Sequence, residues 1–389
     1  MDFSISRNLA HDLERFEGFL NTHLVPNLSS WNRDREVPRW FFEELGNSDW
    51  LEYCFPAEAG GQGALKQGLL FERLARTSPG VAVAMLVHVS LGVNALILFG
   101  SEEQKERFVP HGLAGKTLIC TGSTEHTGGS DVAGVAARAD KVADGWVLNG
   151  TKAYVTNGAL SDLAVISAVT DPDAPRTRRL SLFLVDLNSR GVSRTKLGKQ
   201  VWIPSDLTRL QLSNVHVPEE NLLGVRGRGL QQVLEIFTHS RVSIAALTLG
   251  TAAGAFSLAL EHAKRRELFG TRVVDFQAKS FEIADLYTKI EAAALLVWKA
   301  CWVKDRGRDF RRAASMAKYV TVAIAREVGT WAADIFGAPS VMLEHPVHKF
   351  PMDAWAASLG EGTQDVQKLV IFREIMKEER ALPVGWELE

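Results

Sequence analysis

Cysteine is scarce in this chain, whose 389 residues include only Cys54, Cys120 and Cys301. The three lie far apart and form no CxxC or Cys/His pattern with metal-ligand spacing. Neither a disulfide framework nor a zinc site is therefore expected, and no other metal site is predicted. We expect the three thiols to be reduced and buried.

An excess of positive charge is also missing. The chain has 44 basic and 46 acidic residues and a formal charge of −2, so it has no strong field that would attract nucleic acid or an anionic membrane. Nucleic-acid binding is not expected. A hydrophobic content of 46% with 23% charged residues is typical of a globular protein, and the length favours two or three domains.

No targeting segment is recognisable, because the first residues are acidic and helically periodic rather than basic and then apolar. The most apolar stretch, VAVAMLVHVSLGVNALILFG (81–100), has about the length of a membrane span. His88, Ser90 and Asn94 within it favour a buried helix, so we predict no membrane insertion and a cytoplasmic location. His88 and Ser90 are expected either to meet a polar group of a ligand or to be satisfied inside the core.

The pattern of apolar residues divides the chain into three parts. In residues 1–115 apolar residues recur every three or four positions, which predicts an N-terminal helical domain. Residues 116–229 contain short β-branched runs such as WVLNG, TKAYVT, LAVISAV and LSLFLVDL, which predict a middle β domain. Residues 230–389 return to long helical patterns that could form a second bundle.

The stretch SLGEGTQDVQ (358–367) places Glu361 between two glycines, just before the last long helical pattern. Glycine can adopt positive φ and approach a ligand closely, so a carboxylate in this setting is expected to be presented rather than packed. No P-loop, GxGxxG after a strand, HExxH or GxSxG motif offers a competing site.

Four motifs together carry a resemblance that extends over almost the whole chain. They are TEHTGGSDVAG (124–134), NGTKAYVTNG (149–158), RRELFGTRVVDFQ (265–277) and GEGTQDVQKLVIFRE (360–374). In this order and spacing they resemble the acyl-CoA dehydrogenase flavoproteins. The resemblance implies a mainly α fold with a central β domain: N-terminal helices, a middle β-barrel and a C-terminal four-helix bundle, assembled as a homodimer or homotetramer.

The same resemblance implies FAD as the cofactor and dehydrogenation of an acyl thioester as the reaction. A carboxylate removes the α-proton while the β-hydrogen leaves as hydride to the flavin, and the product is the 2-enoyl thioester. Glu361 falls on the position of the catalytic base. The alternative is a solvated glutamate near a helix start, where acidic residues are common because they complement the helix dipole.

The resemblance also implies which residues bind the cofactor. Tyr154 stands where an aromatic plate covers one flavin face, Thr156 is expected to approach flavin N5, and Arg266 with Phe269 belongs to a segment that reaches the FAD of a neighbouring subunit. The blander interpretation of that segment is a basic helix end stopped by Gly270. The full cofactor set is Thr121, Ser123, Thr124, Tyr154, Val155, Thr156, Arg266, Phe269, Gln277, Asp334, Gly337, Thr363 and Asp365.

The resemblance also implies the substrate-binding residues, which are Ser130, Thr238, Arg241, Gly360 and Gly362. Three departures from the family pattern concern the substrate: Gly360 replaces an aromatic residue, His126 replaces a proline, and VWIPSDLTRL lacks the usual Arg and Thr. Room beside the base favours a short, branched or cyclic acyl group, or one held by an acyl carrier protein, over a long straight chain.

Two other functions remain open at this point. One is flavin-dependent oxygenation on the same fold, which Glu361 disfavours because an oxygenating flavin needs no base for an α-proton. The other is a catalytically silent acyl-CoA-binding protein, which would gain no flavin absorbance with FAD. The expected partners are an acyl-CoA or acyl carrier protein thioester and an electron acceptor such as an electron-transfer flavoprotein.

Overall fold

The computed structural model describes residues 5–55, 63–343 and 345–377. The stretch PAEAGGQG (56–63) predicts a turn, and it lies, except for Gly63, outside the described residues. The α-helices are α1 (Arg7–His23), α2 (Leu28–Asp34), α3 (Arg39–Asn47), α4 (Ala64–Thr77), α5 (Pro79–Leu86), α6 (Asn94–Phe99), α7 (Glu102–Leu113), α8 (Gly229–Arg265), α9 (Gln277–Asp305), α10 (Arg311–Phe336), α11 (Lys349–Ala356) and α12 (Gln364–Ile375).

The strands of the middle region form one sheet in the order β6-β7-β3-β2-β4-β5-β8, with β1 paired in parallel to β4. A small hairpin, β9 with β10, follows α8. The strands are β1 (Ile119–Gly122), β2 (Arg138–Val142), β3 (Gly145–Thr156), β4 (Leu163–Val169), β5 (Leu180–Asp186), β6 (Val192–Lys196), β7 (Leu207–Pro218), β8 (Leu222–Leu223), β9 (Glu267–Leu268) and β10 (Thr271–Arg272). The fold expected from the sequence, helices followed by a β domain and then helices, is confirmed.

Strand β3 joins two runs that the sequence shows as separate, WVLNG and TKAYVT. Asn-Gly between apolar runs usually signals a hairpin turn. Here Gly150 has φ +149° and continues the strand through a register shift opposite β7. A Cβ on Gly150 would lie 2.5 Å from the Cβ of Ala137, so glycine permits a bulge where the neighbouring chain passes closely.

The apolar stretch predicted as a buried helix forms a continuous rod from α5 through a π-helical stretch, Val87–Val93, to α6. Its first turn is capped by Ser78, whose side chain accepts a hydrogen bond from Val81 N. Two helices, Pro79–Phe99 and α8, are long and apolar enough to cross a membrane, but 83% and 89% of their most apolar windows are buried inside the protein. They are core helices, as predicted for the first of them.

One apolar core runs through all three parts of the chain, from Phe16 through Phe183 to Phe350. Helix α8 reaches α4 closely because Gly250 lies against the backbone of Glu72, where a Cβ would come within 2.1 Å of the carbonyl oxygen. All three cysteines are free and buried, as predicted, and burial raises the pKa of each thiol.

Candidate active site

The loop 360–362 lies between helix α11, which ends at Ala356, and helix α12, which begins at Gln364. Helix α12 begins where Thr363 Oγ1 accepts a hydrogen bond from Val366 N, at 3.4 Å. The hydroxyl of Thr363, expected on the cofactor wall, is thus the N-cap of this helix. Asp365 is exposed and pairs with Lys368 at 3.1 Å.

The backbone of this loop differs from the simplest expectation. Positive φ was expected at the glycines; it occurs at Gly362, φ +93°, but not at Gly360, and it also occurs at Glu361 itself, φ +49°. A non-glycine residue in the left-handed region is uncommon and costs on the order of 1–3 kcal/mol, so it persists only where its surroundings enforce it. A Cβ on Gly360 would meet nothing within 4 Å, so the space that a side chain at this position would take is open.

The carboxylate of Glu361 is held at one oxygen and free at the other. Ser240 Oγ donates a hydrogen bond of 3.0 Å to Oε1, while Oε2 is shielded from solvent and has no partner among the described residues. Burial raises the pKa of Glu361, although Lys318, the Ser240 hydrogen bond and Arg241 each act to lower it. A general base needs these properties: an available oxygen and a pKa moved toward neutrality.

Two residues predicted to line the thioester pocket lie beside this loop. Arg241 is 5% exposed and Thr238 is 4% exposed, both on α8. Arg241 Nε donates to the backbone oxygen of Glu361 at 3.2 Å, and its Nη1 donates to Thr238 Oγ1 at 3.3 Å. Neither residue is on the surface, and both help to fix the position of the candidate base.

A second group of predicted residues gathers at one edge of the sheet. Ala153 N donates to Thr124 O at 2.9 Å, which joins the segment after β1 to strand β3. Tyr154 is 57% exposed with φ +55°, and its ring meets that of His126 at 5.9 Å between centroids. Val155 is buried, whereas Thr156 is half-buried on the same strand.

The polar groups at this edge suit a ligand such as a flavin. Thr121 Oγ1 and Ser123 Oγ are buried and lack hydrogen-bond partners within the described part of the chain. Buried hydroxyls are normally bonded, so two orphans side by side beside an exposed aromatic indicate donors and acceptors kept for a bound molecule. Ser130 lies in the exposed loop that follows.

A buried ion pair fixes the polypeptide behind this edge. Lys152, fully buried on β3, donates to Glu125 Oε1 at 2.6 Å, and the same carboxylate accepts the backbone N–H groups of Ala136 and Ala137 at 2.8 and 3.0 Å. Burial acts to raise the pKa of Glu125, but Lys152 and these N–H groups bring it below its ordinary value. The ion pair of Lys152 with Glu125 was not predicted from the sequence.

The third group of predicted cofactor residues lies apart from the other two. Phe269 occupies the turn between β9 and β10 and is 98% exposed, and Arg266 and Gln277 flank the hairpin at the surface. Gly270 follows Phe269 in this turn and does not end a helix, because α8 stops at Arg265. Within residues 5–55, 63–343 and 345–377, no hydrogen bond links this hairpin to either of the other groups.

Asp334 and Gly337, the remaining predicted cofactor residues, end helix α10. Asp334 is exposed and lines an open surface groove between α9 and α10, together with Arg326 and Lys279. Gly337 terminates the helix with φ +65°. Glu282 and Glu327 also line this groove, and Lys279 pairs with Glu282 at 2.9 Å, so its cations do not offset the repulsion that the carboxylate of Asp334 would exert on a phosphate.

His88 and Ser90 are satisfied inside the core. His88 Nε2 donates to Gly112 O at 2.9 Å, and Nδ1 accepts from Ile119 N at 3.1 Å. Burial lowers the pKa of His88 to about 4, so the ring is neutral. Ser90 Oγ donates to Ser243 Oγ at 2.9 Å. Of the two interpretations left open by the sequence, the structure supports the buried one.

Two residues that hold Glu361 and its loop, Ser240 and Lys318, were not predicted from the sequence. Ser240 immediately precedes Arg241 on α8, and Lys318 lies within the pattern AASMAKYVTVAIA of α10. The available signal was a lysine inside an otherwise apolar and small-residue face, which predicts a buried charge in need of a partner.

Three models of protein-family domains match consecutive parts of the chain. These are the N-terminal domain of acyl-CoA dehydrogenase over residues 13–116, the middle domain over 120–215 and the C-terminal domain over 227–376. The chain is also 33% identical over 374 residues to the CarC subunit of the caffeyl-CoA reductase-Etf complex of Acetobacterium woodii, covering 95% of this chain and 97% of that protein.

Solved structures agree in fold over nearly the whole chain. Butyryl-CoA dehydrogenase from Megasphaera elsdenii superposes with a TM-score of 0.93 at 32% identity, covering 97% of this chain and 100% of the other. A glutaryl-CoA dehydrogenase from Mycobacterium smegmatis in complex with FADH2 has a TM-score of 0.90 at 25% identity, covering 97% and 96%. With three matching domains in order and this overall likeness, the chain belongs to the acyl-CoA dehydrogenase family and is an oxidoreductase.

Proposed function

We propose that this enzyme catalyses the FAD-dependent α,β-dehydrogenation of an acyl thioester, with Glu361 as the base. The observation that carries the proposal is the free, shielded Oε2 of Glu361 beside an oxygen held by Ser240. FAD is the cofactor of this family, and the orphan hydroxyls of Thr121 and Ser123 next to the exposed ring of Tyr154 suit it. When bound, FAD supplies the acceptor for the hydride.

The residues of the chain perform the proton half of the reaction. Glu361 Oε2 takes the α-proton of the thioester, the electron pair of that C–H bond becomes the new double bond, and the β-hydrogen leaves with its electron pair as hydride. Exclusion of water by a bound substrate raises the pKa of Glu361 further and improves the match to the acidity of the α-carbon. Ser240 keeps Oε1 occupied, so Oε2 is the oxygen that receives the proton.

The substrate we propose is a short, branched or cyclic acyl group carried by coenzyme A or by an acyl carrier protein. The open space at Gly360, next to the base, supports it because a bulkier acyl group can occupy that volume. The CarC relative, named as part of an Etf complex, supports an electron-transfer flavoprotein as the acceptor. The exposed hairpin with Phe269 and the apolar surface of α12 support a homodimer or homotetramer, in which the hairpin serves a neighbouring subunit. We propose a cytoplasmic location.

The proposal is tested by anaerobic bleaching of the FAD-loaded protein with butyryl-, isobutyryl-, cyclohexanecarboxyl- and glutaryl-CoA, and with butyryl-acyl carrier protein. We expect loss of the oxidised flavin absorbance with at least one of these thioesters, with formation of the enoyl product. Bound FAD that no member of the panel bleaches, but that, once reduced by dithionite, reacts with oxygen and hydroxylates a substrate, would favour the oxygenase instead. Protein that takes up no FAD would favour the silent binder.

A further inference from the structure

Three consecutive carbonyl groups of the loop around Glu361 are held by side chains from three different helices. Lys318 Nζ, on α10, donates to Gly360 O and, at 2.5 Å, to Gly362 O. The carbonyl between them, that of Glu361, accepts from Arg241 Nε on α8 at 3.2 Å and from Gln367 Nε2 on α12 at 3.1 Å. The loop is thus clamped on both sides of the base.

Lys318 is an unusual residue for this position because it is fully buried, with 0% exposure. No carboxylate lies within ion-pair distance of its ammonium group among the described residues, so the carbonyls are its direct partners. Lysine is almost never completely buried without a partner, and an apolar residue of similar length would cost less to bury. Retaining a buried ammonium group here points to a role in the loop rather than in packing.

The clamp explains the backbone of the candidate base. Glu361 holds φ +49°, a strained value for a residue with a side chain, and strain of this kind persists only where surrounding contacts enforce it. Gly360 O and Gly362 O both accept hydrogen bonds from Lys318, while the carboxylate of the residue between them accepts one from Ser240. Removing the clamp would release both the backbone and the carboxylate.

Resting on the proposed function, we propose that Lys318 is a positioning residue that holds the loop carbonyls on both sides of Glu361 and acts on the proton transfer by Glu361 through that contact and its charge. The charged and polar groups that face Glu361 are Lys318 from α10, Ser240 and Arg241 from α8 and Gln367 from α12. Lys318 is the group among them that most strongly lowers the pKa of Glu361, and burial lowers the pKa of Lys318 itself to about 8, so it is charged at neutral pH.

The test compares the FAD-loaded wild type with Lys318→Met, and it follows the protonation of Glu361 directly. The infrared carboxyl band that disappears in Glu361→Gln is titrated against pH in each background, a readout that requires no turnover. We expect the band of Lys318→Met to titrate at higher pH than that of the wild type, because the charge that favours the carboxylate is gone. Lys349→Met is the matched control, since Lys349 is also buried but interacts with Asp353 and not with Glu361.

Flavin reduction by an active thioester is measured on the same samples. In Lys318→Met we expect kcat at pH 7 to fall roughly tenfold to a hundredfold with little change in KM, as for a misplaced catalytic group. The lower limb of the pH profile should move upward in step with the infrared titration, and Lys318→Arg should restore part of the rate.

An unchanged infrared titration, or slower reduction with an unshifted pH limb, would overturn the inference and leave Lys318 a purely structural residue. If Lys318→Met does not retain FAD, Lys318→Gln, which keeps a donor but removes the charge, is judged by the same criteria. Failure of the proposed function is distinguishable, since the wild type would then bleach with no thioester while the infrared comparison still reports on Lys318.

Discussion

Replacing Glu125 with Gln is expected to destabilise the protein by about 3–5 kcal/mol, because it leaves the ammonium group of Lys152 without its counterion in the core. Lys152 is 0% exposed, and its Nζ lies 2.6 Å from Glu125 Oε1; among the described residues its one other side-chain partner is Ser167 Oγ at 3.4 Å. Glutamine also replaces an acceptor by a donor opposite backbone N–H groups, which adds to the cost.

The partner variant Lys152→Met should cost less, since the carboxylate of Glu125 keeps its two backbone donors. The double variant removes both charges, so its loss should fall at least about 2 kcal/mol short of the sum of the single losses, as for contacting residues of one network. Urea unfolding of the FAD-loaded proteins measures these values. Affinity for FAD should fall in Glu125→Gln, because the pair anchors the segment that carries Thr124.

A surface pair provides the control. Lys141 and Glu219 form an ion pair whose side chains are 44% and 55% exposed, so Lys141→Met should cost less than about 1 kcal/mol. If Glu125→Gln cost no more than this control, or if the losses in the double variant were simply additive, the reasoning about the buried pair would be refuted.

Three further predictions concern the base, the helix contact and a buried histidine. In Ser240→Ala, loss of a hydrogen bond that lowers the pKa of Glu361 should move the lower limb of the pH profile of flavin reduction upward, and an unmoved limb would contradict this. Gly250→Ala should destabilise the protein by about 1–3 kcal/mol in urea unfolding, because its Cβ would lie 2.1 Å from a carbonyl oxygen of α4. Gly18→Ala is the control: its Cβ would meet nothing within 4 Å, so it should stabilise the protein by roughly 0.5–1 kcal/mol. Equal effects of the two substitutions would exclude the close contact at Gly250. The pKa of His88 is about 4 in the fold against 6.5 ordinarily, so the unfolded chain binds more protons between these values and the protein loses stability as the pH falls through them. Relative to His88→Gln, the wild type should therefore lose about 3 kcal/mol more of its free energy of unfolding between pH 7 and pH 4. Parallel curves of stability against pH would show that His88 does not titrate in this way.

The order of elements could be predicted from the sequence because apolar periodicity changes twice along the chain. Strands such as β4 and β5 are short apolar runs, whereas α8 and α10 show long helical periodicity. The division of β3 into two runs was wrong, because Asn-Gly gives the same local signal in a turn and in a bulge. Only the passage of Ala137 beside Gly150 decides between the two.

At the site, local motifs indicated Glu361 but not what holds it. Ser240 lies 121 positions before Glu361 and Lys318 lies 42 positions before Gly360, separations over which no spacing rule operates. The glycines correctly indicated an unusual backbone, and Gly362 has positive φ, but so does Glu361 while Gly360 does not, since tertiary contacts and not residue type alone determine it. The roles of the cofactor residues remain predictions.

The measurement that tests the central claim most directly is single-turnover flavin reduction by wild type and Glu361→Gln, using a thioester that bleaches the wild type and the same thioester deuterated at the α-carbon. We predict that the variant keeps FAD and binds the thioester but reduces its flavin about 10²–10⁴-fold more slowly, and that α-deuteration slows the wild type. Reduction in Glu361→Gln within tenfold of the wild-type rate would contradict the assignment of Glu361 as the base.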